Sequence, residues 1–207
     1  MKVDFYLYLV TDRKQTGGRP LVDVVKAALE GGVRAVQLRE KDLMGRDLYL
    51  LARDLRDLTA RYDALLLIND RVDVALAVEA DGVHLGQASF PAAEARRLLG
   101  PEKLIGVSTH SPEEIVAARG ADFVVFGPVY FTPSKVAYGE PQGVDRLREA
   151  VAQSPYPVFA IGGIIAERVR EVRAVGARGI AVISAIISSP DPREATQSFL
   201  VALDARP

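Results

Sequence analysis

The chain has 207 residues, and 49% of them are hydrophobic, which is enough for one sizeable core. We therefore predict a single domain that spans residues 1–207. Lysine and arginine total 26 against 27 aspartate and glutamate residues, so the net charge of −1 disfavours nucleic-acid or membrane-surface binding and favours a small-molecule partner. No cysteine is present, which excludes disulfides, thiolate metal sites and cysteine nucleophiles.

The N-terminal segment lacks the features of an export signal. Asp4 precedes the first apolar run, from Phe5 to Val10, and this run is too short and wrongly flanked for a signal peptide. No uninterrupted apolar run approaches the ~18–20 residues of a membrane span. We expect a cytoplasmic protein, and the sequence leaves open whether it forms a homo-oligomer.

Short apolar runs alternate with longer amphipathic ones along the whole chain, a pattern typical of strand–helix units on a parallel sheet. The predicted strands are Phe5–Val10, Val33–Leu38, Ala64–Ile68, Gly82–Leu85, Leu104–Val107, Asp122–Phe126, Pro157–Ile161 and Gly179–Ser184. The predicted helices are Leu21–Glu30, Arg46–Ala60, Val72–Val78, Pro91–Leu99, Pro112–Arg119, Val144–Gln153, Glu167–Val175 and Pro192–Leu203.

This alternation predicts an α/β protein, a compact single-domain (β/α)8 TIM barrel, with an open doubly wound sheet as the alternative. In such a barrel the active site is built at the carboxyl ends of the strands. Polar residues that interrupt an apolar run at its end are therefore the candidate site residues.

The second predicted strand runs into a cationic segment. Its two-residue period places Gln37, Arg39 and Lys41 on one face. An amide, a guanidinium and an ammonium at a strand end form a good anion clamp. The alternative is a solvated loop in which Arg39 pairs with Glu40 or Asp42.

The third predicted strand ends in Asn69 and Asp70, and Asn69 is the only asparagine of the chain. One interpretation is that these residues cap the next helix, which is their commoner use. The other is that Asp70 ligates Mg²⁺ together with phosphate oxygens of a substrate.

A long irregular stretch follows the sixth predicted strand, from Gly127 to Gly143. Thr132, Ser134 and Lys135 offer hydroxyls and a cation that suit phosphate or diphosphate capture by a movable lid. The alternative is an exposed, inert loop.

The last two predicted strands end in segments that suit phosphate binding. Gly162 and Gly163 follow the seventh strand, and Ile183 and Ser184 close the eighth. Barrels often bind phosphate at these two loops through backbone N–H groups, and glycine allows close approach. An ordinary glycine turn is the alternative.

His84 and His110 carry less information. His84 lies in a short apolar strand and His110 just before a helix, so we interpret each as a packed or capping residue. Neither has metal-ligand spacing. The sequence also lacks the P-loop, dinucleotide, zinc-protease and serine-hydrolase motifs.

Taken together, short motifs along almost the whole chain resemble those of the thiamine phosphate synthase family, with the TenI thiazole tautomerases as its nearest branch. The matching blocks are Tyr8–Arg13, Gln37–Lys41, Asn69–Asp70, Asp81–Gln87, Gly106–His110, Gly127–Tyr130, Thr132–Lys135, Ile161–Ile164 and Ile183–Ile186.

The resemblance implies a transferase of thiamine biosynthesis that joins 4-amino-5-hydroxymethyl-2-methylpyrimidine diphosphate to a thiazole phosphate and releases diphosphate. It implies that the pyrimidine diphosphate is held by Gln37, Arg39, Lys41, Asn69, Ser108 and Lys135, with Arg39, Lys41 and Lys135 acting catalytically. It implies that the thiazole phosphate is held by Thr132, Ser134, Gly163, Ile183 and Ser184. Asp70 would bind Mg²⁺ as the cofactor.

The chain departs from the family pattern at two positions. Ser89 stands where the resemblance implies a second, acidic Mg²⁺ ligand, and Ser89–Phe90 is more like the tautomerase branch. That branch has a catalytic histidine where this chain has Pro128. We therefore expect a synthase and keep three alternatives: a thiazole tautomerase, a non-catalytic thiamine-phosphate-binding protein and another phosphate-binding barrel.

Overall fold

The computed structural model describes residues 3–132 and 140–204, and it contains a closed barrel of eight parallel strands in the order of the sequence. The (β/α)8 prediction is confirmed, and the open doubly wound alternative is wrong. The strands are β1 (Leu7–Val10), β2 (Ala35–Leu38), β3 (Leu65–Asn69), β4 (Gly82–Leu85), β5 (Leu104–Thr109), β6 (Phe123–Phe126), β7 (Val158–Ile161) and β8 (Gly179–Val182). Pairing of β1 with β8 closes the barrel.

The helices surround the barrel. They are α1 (Leu21–Gly31), α2 (Gly45–Arg61), α3 (Val72–Ala77), α4 (Ala92–Leu99), α5 (Pro112–Ala117), α6 (Gly143–Gln153), α7 (Val169–Ala174), α8 (Ser184–Ile187) and α9 (Pro192–Asp204). Short 3-10 helices lie at Arg13–Gln15 and Ala166–Arg168. Within the described ranges, no helix combines the length and apolar character required to cross a membrane.

The predicted element boundaries lie within two residues of the observed ones, and at one of them the type of element is wrong. The last strand ends at Val182, and Ser184 begins α8 instead of ending the strand. Apolar residues continue on both sides of Ser184, from Ile183 to Ile187, so the hydrophobic pattern could not separate the strand from the helix that follows it.

Aromatic rings fill the inside of the barrel. Phe5, Tyr8, Phe123 and Phe159 are buried there, with ring centroids 5.0–5.6 Å apart in their contacting pairs. A larger apolar layer lies between the outer face of the strands and the helices. The interior is therefore a packed core and not a ligand channel.

At the amino-terminal end of the barrel, two aspartates make equivalent links. Asp81 accepts from the backbone N–H of Leu66 at 2.8 Å and from Arg56 at 2.8 Å. Asp122 accepts from the N–H of Ile105 at 2.7 Å and from Arg96 on α4. These links join neighbouring strands to the helix layer at the end opposite the candidate site.

Candidate active site

The described residues form three adjoining pockets at the carboxyl ends of the strands. A central pocket lies over the barrel axis and shares Asn69 with a pocket of about 250 Å³ beside β2 and β3. On the other side it shares Ile161 and Ile183 with a cleft of about 400 Å³ beside β7 and β8. We call these the central pocket, the β2–β3 pocket and the β7–β8 cleft.

The cationic segment after β2 faces two of these pockets. Gln37 is buried, donates to the Tyr8 hydroxyl at 3.2 Å and lines the central pocket together with Arg39. Lys41 lines the β2–β3 pocket instead. The prediction of one common face is wrong for Lys41, because β2 ends at Leu38 and the chain turns before it.

A buried carboxylate organises this segment. Glu40 accepts from the Thr11 hydroxyl at 2.7 Å and from Arg13 Nη1 at 3.1 Å. Thr11 Oγ1 in turn accepts from the backbone N–H of Arg39 at 2.9 Å. The loops after β1 and β2 are therefore joined by side-chain hydrogen bonds directly beneath Arg39.

Arg13 also bonds to Asp42 through both of its terminal nitrogens, and Lys14 Nζ lies 2.8 Å from Asp42. Hydrogen bonds from Arg13 and Lys14 hold the pKa of Asp42 below its usual range. Across residues 3–132 and 140–204, neither Arg39 nor Lys41 forms an ion pair. The alternative in which Arg39 pairs with Glu40 or Asp42 is therefore wrong.

Asn69 and Asp70 do not cap the next helix. The N-cap residue of α3 is Arg71, and its side chain makes no capping hydrogen bond. Asn69 Nδ2 instead donates to Asp70 Oδ2 at 2.6 Å, and both residues line the β2–β3 pocket. Asp70 has a φ of 61°, which is a left-handed conformation that aspartate adopts more readily than most residues. The helix-cap interpretation is wrong.

The loop after β4 brings Ser89 to Asp70. The Ser89 hydroxyl bonds to Asp70 Oδ1 and accepts from the backbone N–H of Gly86 at 2.6 Å. Ser89 therefore faces the aspartate that the sequence proposes as a metal ligand. In the described ranges, no cluster of three or more histidine, cysteine, aspartate or glutamate side chains suited to a metal ion occurs.

His84 is buried at the base of the central pocket, and its Nε2 lies 2.9 Å from Ser108 Oγ. Burial lowers the pKa of His84 to about 3; nearby Asp70 opposes this shift and Arg39 adds to it. Its Nδ1 has no hydrogen-bond partner among the residues that the structure describes. The imidazole of His84 is therefore neutral where it contacts Ser108. His84 is a packed residue, as expected, and it also lines the central pocket.

His110 lines the central pocket from the end of β5. Its Nδ1 lies 2.5 Å from the carbonyl oxygen of Gly127, while its backbone N–H donates to Glu114 at 2.6 Å. The N-cap of α5 is Ser111, so the capping interpretation of His110 is wrong. The His110 side chain therefore contacts the residue that follows β6. The sequence alone could not reveal this contact.

Two glycines shape the β7–β8 cleft. Gly162 and Gly163 have φ values of 100° and 63°. A Cβ at Gly162 would lie 2.6 Å from Pro128, and one at Gly163 would lie 2.5 Å from the Phe131 carbonyl oxygen. Only glycine fits this close approach to the loop after β6, and phosphate binding at these two residues stays a prediction.

The other predicted residues of the cleft lie where the loops meet. Thr132, Gly163, Ile183 and Ser184 all line it. Ser184 begins α8, and the first N–H groups of a helix have no partner within that helix. Ser134 and Lys135 lie outside the described residues.

Sequence reasoning missed Arg168, which lines the same cleft. Its Nη1 donates to the Gly163 carbonyl oxygen at 2.7 Å, and its guanidinium carbon lies 4.3 Å from the centre of the Tyr130 ring. Arg168 sits in an arginine-rich helical segment, and nothing in the local pattern distinguishes it from Arg170 or Arg173.

The fold and the site define a (β/α)8 barrel enzyme whose cationic pocket and glycine-lined cleft meet at the carboxyl ends of the strands. The pattern of one family, thiamine monophosphate synthase, matches residues 7–186. The chain belongs to this family, as the sequence motifs predicted.

Individual relatives agree with this assignment. A protein of Geobacter sulfurreducens, provisionally named a thiamine-phosphate synthase, is 59% identical over 99% of this chain and 97% of its own length. The thiamine-phosphate synthase of Clostridium novyi is 44% identical over 96% of this chain and 98% of its own. The solved structure of thiamine phosphate pyrophosphorylase from Pyrococcus furiosus has a TM-score of 0.88 and 42% identity, covering 96% of this chain and 95% of that chain.

Proposed function

We propose that this protein is a thiamine-phosphate synthase of the cytoplasm, which joins 4-amino-5-hydroxymethyl-2-methylpyrimidine diphosphate to a thiazole phosphate. One observation carries the proposal: every described residue assigned to the two substrates lines one of three adjoining pockets. These residues are Gln37, Arg39, Lys41, Asn69, Ser108, Thr132, Gly163, Ile183 and Ser184. Two substrates bound in the outer pockets would meet over the barrel axis.

The cationic side would hold the pyrimidine diphosphate. Gln37, Asn69 and Ser108 offer polar groups at the central pocket, while Arg39 and Lys41 offer positive charges that no carboxylate in the described ranges neutralises within an ion pair. We assign the same role to Lys135. The Arg39 guanidinium can grip a phosphate through two parallel donors, and lysine adds a point charge.

The reaction then needs mainly charge stabilisation and positioning. The bond between the pyrimidine methylene carbon and the diphosphate oxygen breaks, and the diphosphate leaves with the electron pair. Arg39, Lys41 and Lys135 stabilise the charge that gathers on the leaving group. The lone pair of the thiazole nitrogen forms the new carbon–nitrogen bond, helped by its fixed position in the β7–β8 cleft.

Oxygen donors around Asp70 fit a magnesium ion. Its carboxylate lines the β2–β3 pocket beside Lys41, and the Ser89 hydroxyl bonds to the same carboxylate. Mg²⁺ is commonly held by one or two carboxylates, with substrate phosphate and water completing its shell. Asp70 would hold the ion with Ser89 nearby; the ion would supply positive charge to the diphosphate.

The test is direct synthesis by the purified protein. With both substrates and Mg²⁺, we expect thiamine phosphate and diphosphate to form in equal amounts, detected by chromatography. The matched control omits the thiazole phosphate. Absence of product despite bound thiazole phosphate would contradict the proposal and favour a tautomerase or a binding protein. Binding of neither substrate would favour another phosphate-binding barrel.

A further inference from the structure

Arg168 gives the β7–β8 cleft a positive charge that no sequence motif predicts. Among the described residues that line this cleft, Arg168 is the one with an ionisable side chain. It ends the 3-10 helix Ala166–Arg168, and its side chain returns over the glycine turn to contact Gly163. The cleft is otherwise lined by apolar side chains, glycines and uncharged polar groups.

The guanidinium is held from two sides. Nη1 donates to the Gly163 carbonyl oxygen at 2.7 Å, and the Tyr130 ring lies under the guanidinium, 4.3 Å from its carbon. The Tyr130 hydroxyl donates to Glu171 Oε2 at 2.6 Å. The ring that supports Arg168 is therefore itself anchored to α7.

Nothing on the described part of the chain neutralises Arg168 by direct contact. No ion pair joins Arg168 to a carboxylate among residues 3–132 and 140–204. Glu171, the nearby acid, bonds to Tyr130 instead. An arginine that uses one terminal nitrogen on a carbonyl still has donors for an anion, since its guanidinium carries five N–H groups.

We propose that Arg168 binds the phosphate of the thiazole substrate and makes the cleft selective for a phosphorylated thiazole over the free alcohol. This inference rests on the proposed function. Backbone N–H groups can bind a phosphate, but a dianion in a partly enclosed cleft gains more from a preorganised cation. The stack on Tyr130 and the bond to Gly163 hold the guanidinium in place before the ligand arrives.

The experiment compares Arg168→Gln, Arg168→Lys and a matched control, Arg170→Gln. Arg170 is an exposed arginine two positions along the same segment. Binding of the thiazole phosphate and of the corresponding thiazole alcohol is measured by calorimetry, so the result does not depend on turnover. Arg168→Gln keeps a long, polar and uncharged side chain at this position, which limits damage to the fold.

We expect Arg168→Gln to bind the thiazole phosphate roughly 10- to 100-fold more weakly, as for loss of a hydrogen bond to a charged group. Arg168→Lys should lose part of this affinity, and Arg170→Gln should match the parent. Binding of the thiazole alcohol should change little in any variant. In steady-state kinetics, the KM for the thiazole phosphate should rise while the KM for the pyrimidine diphosphate stays near that of the parent.

The inference would be overturned if Arg168→Gln bound the thiazole phosphate as tightly as the parent does. The role of Arg168 would then be limited to its hydrogen bond with the Gly163 carbonyl oxygen. An equal loss of affinity for the phosphate and the alcohol would also overturn it, because the effect would then be one of cleft shape. Failure of the proposed function looks different: the parent itself would form no thiamine phosphate, whatever the affinity of the Arg168 variants.

Discussion

Arg13 and Glu40 form a partly buried ion pair, with Nη1 and Oε2 3.1 Å apart and the Glu40 side chain 2% exposed. The pair joins the loop after β1 to the loop after β2. Because Arg13 takes the carboxylates of both Glu40 and Asp42, the cations on either side of Glu40 stay available to the pockets. Arg13, which lies 27 positions from Glu40 in the sequence, therefore leaves the site with the positive charges of Arg39 and Lys41.

Changing Glu40 to Gln should destabilise the protein by about 1–3 kcal/mol, because one amide cannot replace a carboxylate that accepts from Thr11 and Arg13 at once. Denaturant unfolding measures this loss. We also expect a higher KM for the pyrimidine diphosphate, since Thr11 accepts from the backbone N–H of Arg39. The control is Asp42→Asn, an exposed partner of the same arginine. Similar unfolding curves for the two variants would contradict the role assigned to Glu40.

His84 should make stability depend on pH. Burial lowers its pKa from 6.5 to about 3, so in mildly acidic solution the unfolded chain binds a proton there and the folded chain does not. Stability is therefore lost as pH falls from about 6.5 towards 3, by up to about 1.4 kcal/mol per pH unit. Above pH 6.5 this contribution does not change with pH.

The measurement compares the parent with His84→Gln in denaturant unfolding from about pH 7.5 down to about pH 4.5. The two proteins share all other titrating groups, so the difference between their slopes of unfolding free energy against pH isolates the effect of His84. We expect the parent to lose stability more steeply. Parallel slopes would show that the imidazole titrates alike in the folded and unfolded chains.

The fold could be predicted because every strand–helix unit carries its own signal. The apolar runs at Gly82–Leu85 and Phe123–Phe126 are bounded by polar or glycine residues, and the structure has strands there. Prediction failed where two buried elements are continuous, at the change from β8 to α8. Hydrophobic period cannot locate that boundary, because apolar residues stand on both sides of the exposed Ser184.

The candidate site could be predicted in part. Residues at strand ends, such as Gln37 and Asp70, follow from the rule for barrels. The roles of Arg13 and Arg168 could not be predicted, because each acts through a contact formed only after folding: Arg13 with Glu40, and Arg168 with Gly163. Neither contact has a local sequence signature, since both arginines stand in segments rich in charge.

Arg39→Lys should weaken binding of the pyrimidine diphosphate although the charge is retained. A lysine offers a point donor where the guanidinium offers a planar fork, so we expect a loss of roughly tenfold. Calorimetric titration with the pyrimidine diphosphate measures the effect. Arg46→Lys, at an exposed position on α2, is the control. Unchanged affinity in Arg39→Lys would mean that Arg39 faces solvent and not the substrate.

The Ser89 hydroxyl bonds to Asp70, the proposed ligand of the magnesium ion. If Asp70 supplies the one protein carboxylate, Mg²⁺ should bind weakly to the free protein and more tightly with the pyrimidine diphosphate present. Ser89→Asp should tighten Mg²⁺ binding, because it places a second carboxylate at the loop that already contacts the first. The rate of thiamine phosphate formation should rise at limiting metal, since more of the protein carries the ion.

A titration of Mg²⁺ during thiamine phosphate synthesis, by the parent and by Ser89→Asp, tests this expectation. Ser89→Asn is the matched control, because it has nearly the size of aspartate without its charge. The half-saturating Mg²⁺ concentration should fall in Ser89→Asp and not in Ser89→Asn. An unchanged metal requirement in Ser89→Asp would contradict the proposal that the loop after β4 faces the ion. In that case Asp70 and Ser89 would be joined only to hold β3 and β4 together at their carboxyl ends.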